Sequence, residues 1–158
     1  MRTDTRVPAA IRAAFVMWLV AVGAGVFETI LVVGSGQAGD GAAVGVVVRT
    51  AVFVAAILVA FQMRAGRRWA RWALTIGLGL LGTLSLVVDP VRWLLDGNSL
   101  GDLLAGASAV DLTFGISRGI HVAAVLAGCV LMFVPAANAF FRDRVAVAVS
   151  AAGPRRPA

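Results

Sequence analysis

The sequence contains no tyrosine and no lysine, and it has one cysteine and one histidine. A single cysteine, Cys129, can form neither an internal disulfide nor a Cys-x-x-Cys pair, so thiol oxidase and zinc-ribbon functions have no support. A single histidine, His121, cannot build a protein metal site alone. Since no nucleophile–base arrangement is evident either, we expect no metal, no cofactor and no enzymatic activity.

Charge is scarce as well. Charged residues make up 14% of the 158 residues, hydrophobic residues make up 60%, and the mean hydropathy is +0.93. Soluble domains are closer to half apolar and a quarter charged. The composition therefore indicates a single integral membrane domain.

The cations that are present are all arginines, and the net charge is +6. A sequence pI near 11.6 could indicate nucleic-acid binding. The arginines cluster at the ends of apolar runs, however, where they determine membrane topology. We therefore expect membrane lipid rather than nucleic acid as the partner of these charges.

Four apolar runs predict an all-α fold with four transmembrane helices arranged as two hairpins. Each run is close to the ~20 residues that cross the hydrocarbon region. A basic loop at 64–71 separates the hairpins, and a basic tail at 142–158 is expected to be disordered. The predicted spans are residues 9–33, 43–63, 69–88 and 112–134.

Orientation follows from the distribution of the arginines. The N-terminus, the loop 64–71 and the tail 142–158 together hold eleven of the fourteen arginines. Because cytoplasmic segments carry the excess of positive charge, we expect both termini and this loop in the cytoplasm and the protein in the cell (plasma) membrane.

The segment 90–110, between spans three and four, is predicted to form short amphipathic helices on the outer membrane surface. Asp89-Pro90 is typical of a helix start, and that helix should end at Gly97. Ser99 and Asp102 resemble a capping box. One face of the following helix is apolar, formed by Leu100, Leu103, Leu104 and Ala107.

Four polar side chains are predicted to lie inside the spans, in the outer third of the bundle: Glu28, Arg49, Arg118 and His121. Glu28 and Arg49 should lie at similar depth on neighbouring antiparallel helices. Arg118 and His121 share a helical face at spacing i, i+3. A charge at such a depth is unfavourable unless it is paired or faces water.

Two interpretations of this cluster remain open. In the structural one, Glu28 and Arg49 form an ion pair that locks the first hairpin, and Arg118 meets Asp111, Asp89 or a lipid phosphate. In the functional one, the four side chains line an outward-facing cavity that binds an anionic or protonatable ligand or relays a proton.

Glycine pairs with G-x-x-x-G spacing occur at Gly41 and Gly45 and again at Gly115 and Gly119. This spacing lets membrane helices approach closely. The function expected first is therefore a structural or accessory subunit that associates with itself or with a membrane-protein partner through small-residue faces. The alternative is a binder or transporter of a small molecule, ion or lipid that uses the polar cluster.

The stretch Ala24-Gly25-Val26-Phe27-Glu28-Thr29, in the first of four short spans, resembles the small multidrug resistance transporters. That resemblance implies that the Glu28 carboxylate binds protons and a cationic drug in exchange for one another. The chain departs from the family in its length, its lack of tyrosine and the presence of Arg49. More broadly, Pro8 before an Ala/Trp-rich span and the stretch 66–71 make it similar to small four-span actinobacterial membrane proteins of unknown function, which implies no activity.

Overall fold

The structure, a computed structural model, describes residues 7–36, 39 and 41–151. The remaining parts of the predicted N-terminal segment, of the first turn and of the tail lie outside the described residues. Within the described ranges every regular element is a helix. These are α1 (Ala9–Gly34), α2 (Ala42–Arg64), α3 (Arg68–Leu74), a π-helical segment (Thr75–Gly82), α4 (Thr83–Leu95), α5 (Leu100–Gly106), α6 (Ala109–Phe133) and α7 (Pro135–Ala151).

Four helices are long and apolar enough to cross a membrane, as the sequence predicted. They are α1, α2, α6 and the continuous helix Arg68–Leu95, which we call the third span and which comprises α3, the π-helical segment and α4. Their lengths of 23 to 28 residues exceed the ~20 needed at 1.5 Å per residue. Large apolar side chains along all four are exposed, as a lipid-facing surface requires.

The third span is longer than the predicted span 69–88. Helix α4 runs through Pro90 to Leu95, whereas the sequence analysis placed a separate helix after Asp89. Proline removes one backbone hydrogen bond, yet membrane helices tolerate this where neighbouring groups compensate. The helix does end where expected, because Gly97 has φ of +89° and Asn98 Nδ2 donates to the Trp93 carbonyl at 2.8 Å.

The link between the third span and α6 contains helix α5, within the predicted surface segment 90–110. The side chains of Asp102 and Leu103 lie outside those described. A capping box is formed by Ser108 and Asp111, at the start of α6. The Asp111 amide donates to Ser108 Oγ at 3.2 Å, and the Ser108 amide donates to Asp111 Oδ2 at 3.0 Å. Helix α6 consequently begins at Ala109, before the predicted residue 112.

The C-terminal segment is helical further than predicted. Instead of disorder from residue 142, helix α7 continues to Ala151. Helix α6 stops at Val134, whose ψ of 155° is extended, and Pro135 begins α7. Proline suits the first position of a helix because its missing N–H would have no partner there. The chain therefore bends once before α7.

This bend is tied to the third span through Asn138. Its Nδ2 donates to the Phe133 carbonyl at 2.7 Å, and its Oδ1 accepts a hydrogen bond from Arg71 Nη1 at 2.7 Å. The Arg71 guanidinium also lies 5.0 Å from the Phe133 ring centroid and 4.9 Å from that of Phe141. Cation–π contacts of this kind stabilise a guanidinium among aromatic rings.

The helices pack in the order α2, α1, α6, third span. Helix α1 contacts both α2 and α6, and α6 contacts the π-helical segment and α4. Helix α2 meets the third span at α3, beside the turn that joins them. We call that side of the molecule the basic end, because Arg64, Arg67 and Arg68 lie there. The buried apolar core is concentrated towards it, and its largest members are Trp18, Phe141, Ile11, Met63, Leu74 and Met132.

The π-helical segment packs closely on α6 at one glycine. A Cβ atom built on Gly79 would lie 2.7 Å from Cys129 Sγ, whereas one on Gly77 would meet nothing within 4 Å. The contact fixes the third span against α6, since only glycine leaves room for the sulfur.

We expect Gly79→Ala to lower the stability of the bundle, because a methyl group overlaps Cys129 Sγ and overpacking costs about 1–3 kcal/mol. Gly77→Ala is the matched control and should be neutral or stabilising, as alanine favours helix by up to about 1 kcal/mol. Thermal unfolding in detergent measures both.

Adding Cys129→Ala to Gly79→Ala should recover part of the loss, because it removes the overlapping atom. Equal effects of Gly77→Ala and Gly79→Ala would contradict the close contact.

Candidate ligand-binding site

A cavity of about 160 Å³ lies between α1, α2, the third span and α6. It forms where α2 and the third span separate beyond their contact at the basic end. Polar side chains from each of the four helices line it: Glu28, Arg49, Ser85 and His121. The rest of the wall is mostly apolar: Trp18, Ala21, Val22, Gly25, Val52, Phe53, Ala56, Leu78, Gly82, Leu86 and Val125.

The centre of the polar part is a pair formed by Glu28 and His121. Glu28 is 3% exposed, and its Oε1 lies 3.3 Å from His121 Nδ1. The pair joins α1 to α6, two helices that are not neighbours in sequence. With a proton on Nδ1 the ring donates to the carboxylate, and with both ring nitrogens protonated the contact is an ion pair. Either form compensates a carboxylate that would be costly to bury alone.

Gly25, three residues before Glu28, makes this approach feasible. A Cβ on Gly25 would lie 2.8 Å from the ring of Phe53 and 3.2 Å from His121 Cε1. The missing side chain therefore admits one ring from α2 and one from α6 against the same turn of α1. Thr29 Oγ1 donates to the Gly25 carbonyl at 2.8 Å, so its hydroxyl is satisfied within the helix.

Trp18 lines the cavity two to three helical turns closer to the basic end. It is 1% exposed and packs over Gly128 of α6, where an added Cβ would lie 3.2 Å from Trp18 Cε2. Its indole Nε1 is buried without a hydrogen-bond partner among the described residues. The cavity is consequently polar near Glu28 and apolar near Trp18.

Arg49 lines the cavity but is not the partner of Glu28. The structural interpretation pairs the two, whereas Arg49 forms no ion pair or hydrogen bond with any residue that the structure describes. The physical reason is the side from which α6 approaches α1. At Gly25, which has no side chain, the His121 ring packs against α1 and comes next to the Glu28 carboxylate. Arg49 remains exposed on α2.

Arg118 does not line the cavity. Its guanidinium lies 4.9 Å from the ring centroid of Phe114, one turn earlier on α6, and its Nε is buried without a partner in the described part of the chain. The expected contacts with Asp111 or Asp89 are not formed. Three of the four polar residues singled out in the sequence thus line one cavity, and the fourth packs on its own helix.

The close-packing glycines differ from those with G-x-x-x-G spacing. Added Cβ atoms on Gly41, Gly45, Gly115 and Gly119 would meet nothing within 4 Å. Close contacts occur instead at Gly25, Gly79 and Gly128, each facing a side chain of another helix, and at Gly66 in the turn after α2, where an added Cβ would lie 2.8 Å from Arg144 Cγ. Spacing along one helix could not have identified them, because the partner side chain decides which glycine matters.

Comparisons with protein-family models, with curated proteins and with solved structures found no match. Within residues 7–36, 39 and 41–151, no three His, Cys, Asp or Glu side chains are grouped as metal ligands would be.

Double-mutant cycles should show that Glu28 is coupled to His121 and not to Arg49. Removing one member of a buried pair strands the other, so Glu28→Gln and His121→Gln should each destabilise the protein. The double variant should lose less than the sum of the single losses, with a coupling of about 0.5–2 kcal/mol from reversible unfolding in detergent.

The matched cycle with Arg49→Gln should be additive within about 0.5 kcal/mol, as expected for residues without a shared contact. A larger coupling to Arg49 than to His121 would contradict the geometry described above.

Proposed function

We propose that this chain is a multi-pass membrane protein that binds a small molecule in its central cavity, with Glu28 and His121 as the polar centre of recognition. The observation that carries the proposal is the buried Glu28–His121 pair on the wall of the cavity. An ionisable residue inside a membrane span most often marks a substrate or proton pathway.

A purely structural role explains this pair less well. Replacing a buried ion pair by well-packed apolar residues is often neutral or stabilising, so stability alone does not require Glu28. Both side chains also line the cavity, so a ligand there can contact the pair although Glu28 is buried. A polar end beside an apolar wall is the usual composition of a small-molecule site.

The pair is also suited to proton exchange. An imidazole nitrogen and a carboxylate oxygen that lie 3.3 Å apart can pass a proton between them. We propose binding, or proton-linked transport, and no enzymatic step, because the Ser85 hydroxyl on the cavity wall donates to the Gly82 carbonyl of its own helix at 2.7 Å and not to His121.

A structural or accessory subunit is the second candidate, in the form of a homo-oligomer or a complex with another membrane protein. The observation that favours it is that both G-x-x-x-G faces are open, with no close neighbour at Gly41, Gly45, Gly115 or Gly119. Small residues on an open helix face permit close association between membrane helices.

For orientation we propose two hairpins in the cell (plasma) membrane, with both termini and the turn at Ala65 in the cytoplasm. The cluster of arginines at the basic end supports this arrangement. Helix α5 then lies on the outer surface, where exposed Leu100 and Leu104 can contact lipid headgroups and upper acyl chains.

The binding function predicts that the protein carries a bound molecule when it is purified from native membrane in nanodiscs. Gly25→Ala should reduce its recovery several-fold, because the new methyl group pushes the Phe53 ring into the cavity and presses on His121. Mass spectrometry of the extracted small molecules measures the recovery, after normalisation to protein.

Gly23→Ala is the matched control, since a Cβ there meets nothing within 4 Å and the cavity is unchanged. Recovery of the same molecules in equal amounts from the wild type and both variants would refute binding in this cavity.

Topology is tested with reporter fusions. Reporters fused at Ala65 and after Arg142 should lie in the cytoplasm, because positively charged segments stay on that side of the membrane. A reporter fused at Gly97 should lie on the outer side. A cytoplasmic result at Gly97 would eliminate the four-span arrangement proposed here.

A further inference from the structure

We propose that the ligand is a compact amphipathic anion, whose acidic head lies on Arg49 and whose apolar body lies against Trp18. The inference names the ligand class for the cavity and rests on the proposed function. Its basis is the Arg49 guanidinium, which has no partner among the described residues, together with a cavity wall that is polar at one end and apolar at the other.

The ionisable side chains on the wall are Glu28, His121 and Arg49. Glu28 and His121 lie 3.3 Å apart and are each other's partner. Arg49 is then the one charge on the cavity wall without a partner among the described residues. An anion is consequently the ligand that this wall attracts, and a carboxylate or phosphate matches the guanidinium fork.

The position of Arg49 strengthens the argument. It lies inside a candidate span, seven residues after the start of α2, with an exposed side chain. A guanidinium at that depth requires an anion or water. An organic cation, by contrast, would have to displace His121 from Glu28 and would then lie close to Arg49, which repels it.

The size and lining of the cavity give the rest of the ligand. Towards the basic end the wall is apolar, formed by Trp18, Ala21, Ala56, Leu78 and Val125. Drug-sized sites have volumes of roughly 300–1,000 Å³. At about 160 Å³ this cavity fits a short apolar body, such as a medium-length alkyl chain or a single ring system.

The test compares three probes of equal chain length: octanoate, octylamine and octanol. Binding of each radiolabelled probe to the full chain in nanodiscs of zwitterionic lipid is measured by equilibrium dialysis, with empty nanodiscs as background. Octanoate should bind tightest. Arg49→Gln should weaken it about tenfold, as expected for loss of a charged hydrogen bond of about 1.4 kcal/mol.

Arg118→Gln is the matched control, because it removes the same charge from a nearby helix without altering the cavity wall. It should leave octanoate affinity within about twofold. The same variants are checked by thermal unfolding, so that a loss of fold is not taken for a loss of binding.

A second measurement locates the apolar body without any change to Arg49. Octanoate brominated at its terminal carbon should quench tryptophan fluorescence saturably, and Trp18→Phe should abolish most of that quenching. Persistent saturable quenching in Trp18→Phe would place the chain elsewhere and overturn the assignment.

The anionic head could come from a free acid or from a lipid. Adding phosphatidylglycerol to the nanodiscs distinguishes them. Weaker apparent octanoate binding means that lipid occupies the same anion site, and unchanged binding means that the free acid is the ligand.

Tighter binding of octylamine than of octanoate would overturn the assignment of an anionic ligand while leaving the binding function intact. Should none of the three probes bind above background, the ligand class proposed here is wrong, and recovery of a molecule from native membrane decides the function separately.

Discussion

The close packing of α1 against α6 is the contact on which the rest of the structure depends. Between helices in lipid the hydrophobic effect contributes little, so close contact and hydrogen bonds must hold the bundle. Gly128 allows Trp18 onto α6, and Gly25 allows His121 onto α1. These two glycine contacts also bring Glu28 within reach of His121. The packing of α1 on α6 thus stabilises the bundle and forms the polar centre of its cavity.

Packing quality changes along the molecule, and this change creates the cavity. At the basic end the rings of Phe15 and Phe61 lie 5.0 Å apart, and the Arg71 guanidinium is held by Asn138 and aromatic rings. Farther along, α2 and the third span separate, and the space between them is lined by side chains from four helices. The closely packed basic end can stabilise the fold, while the less densely packed part around the cavity leaves room for a ligand.

The sequence predicted what depends on hydropathy and missed what depends on direction around a helix. Apolar runs located all four spans. Residue depth predicts a common level for Glu28, Arg49, Arg118 and His121, and three of these line the cavity. Depth does not say which neighbour a side chain faces, so the structural interpretation pairs Glu28 with Arg49, whereas His121 is its partner. Asp89-Pro90 predicts a helix start in a water-exposed chain, whereas within a span α4 continues through Pro90. The Ser108–Asp111 capping box was visible as a Ser-x-x-Asp pattern and could have been predicted.

The attachment of α2 to the third span at the basic end has a mechanical consequence. A helix of 23 residues is about 35 Å long at 1.5 Å per residue. Its last turn adjoins the third span and Phe53 lies against Gly25 of α1, so the part of α2 before Phe53, about 16 Å long, is the part that can tilt. A tilt of roughly 5° there displaces the first residue of α2 by about 1.4 Å while the contacts of the basic end are kept.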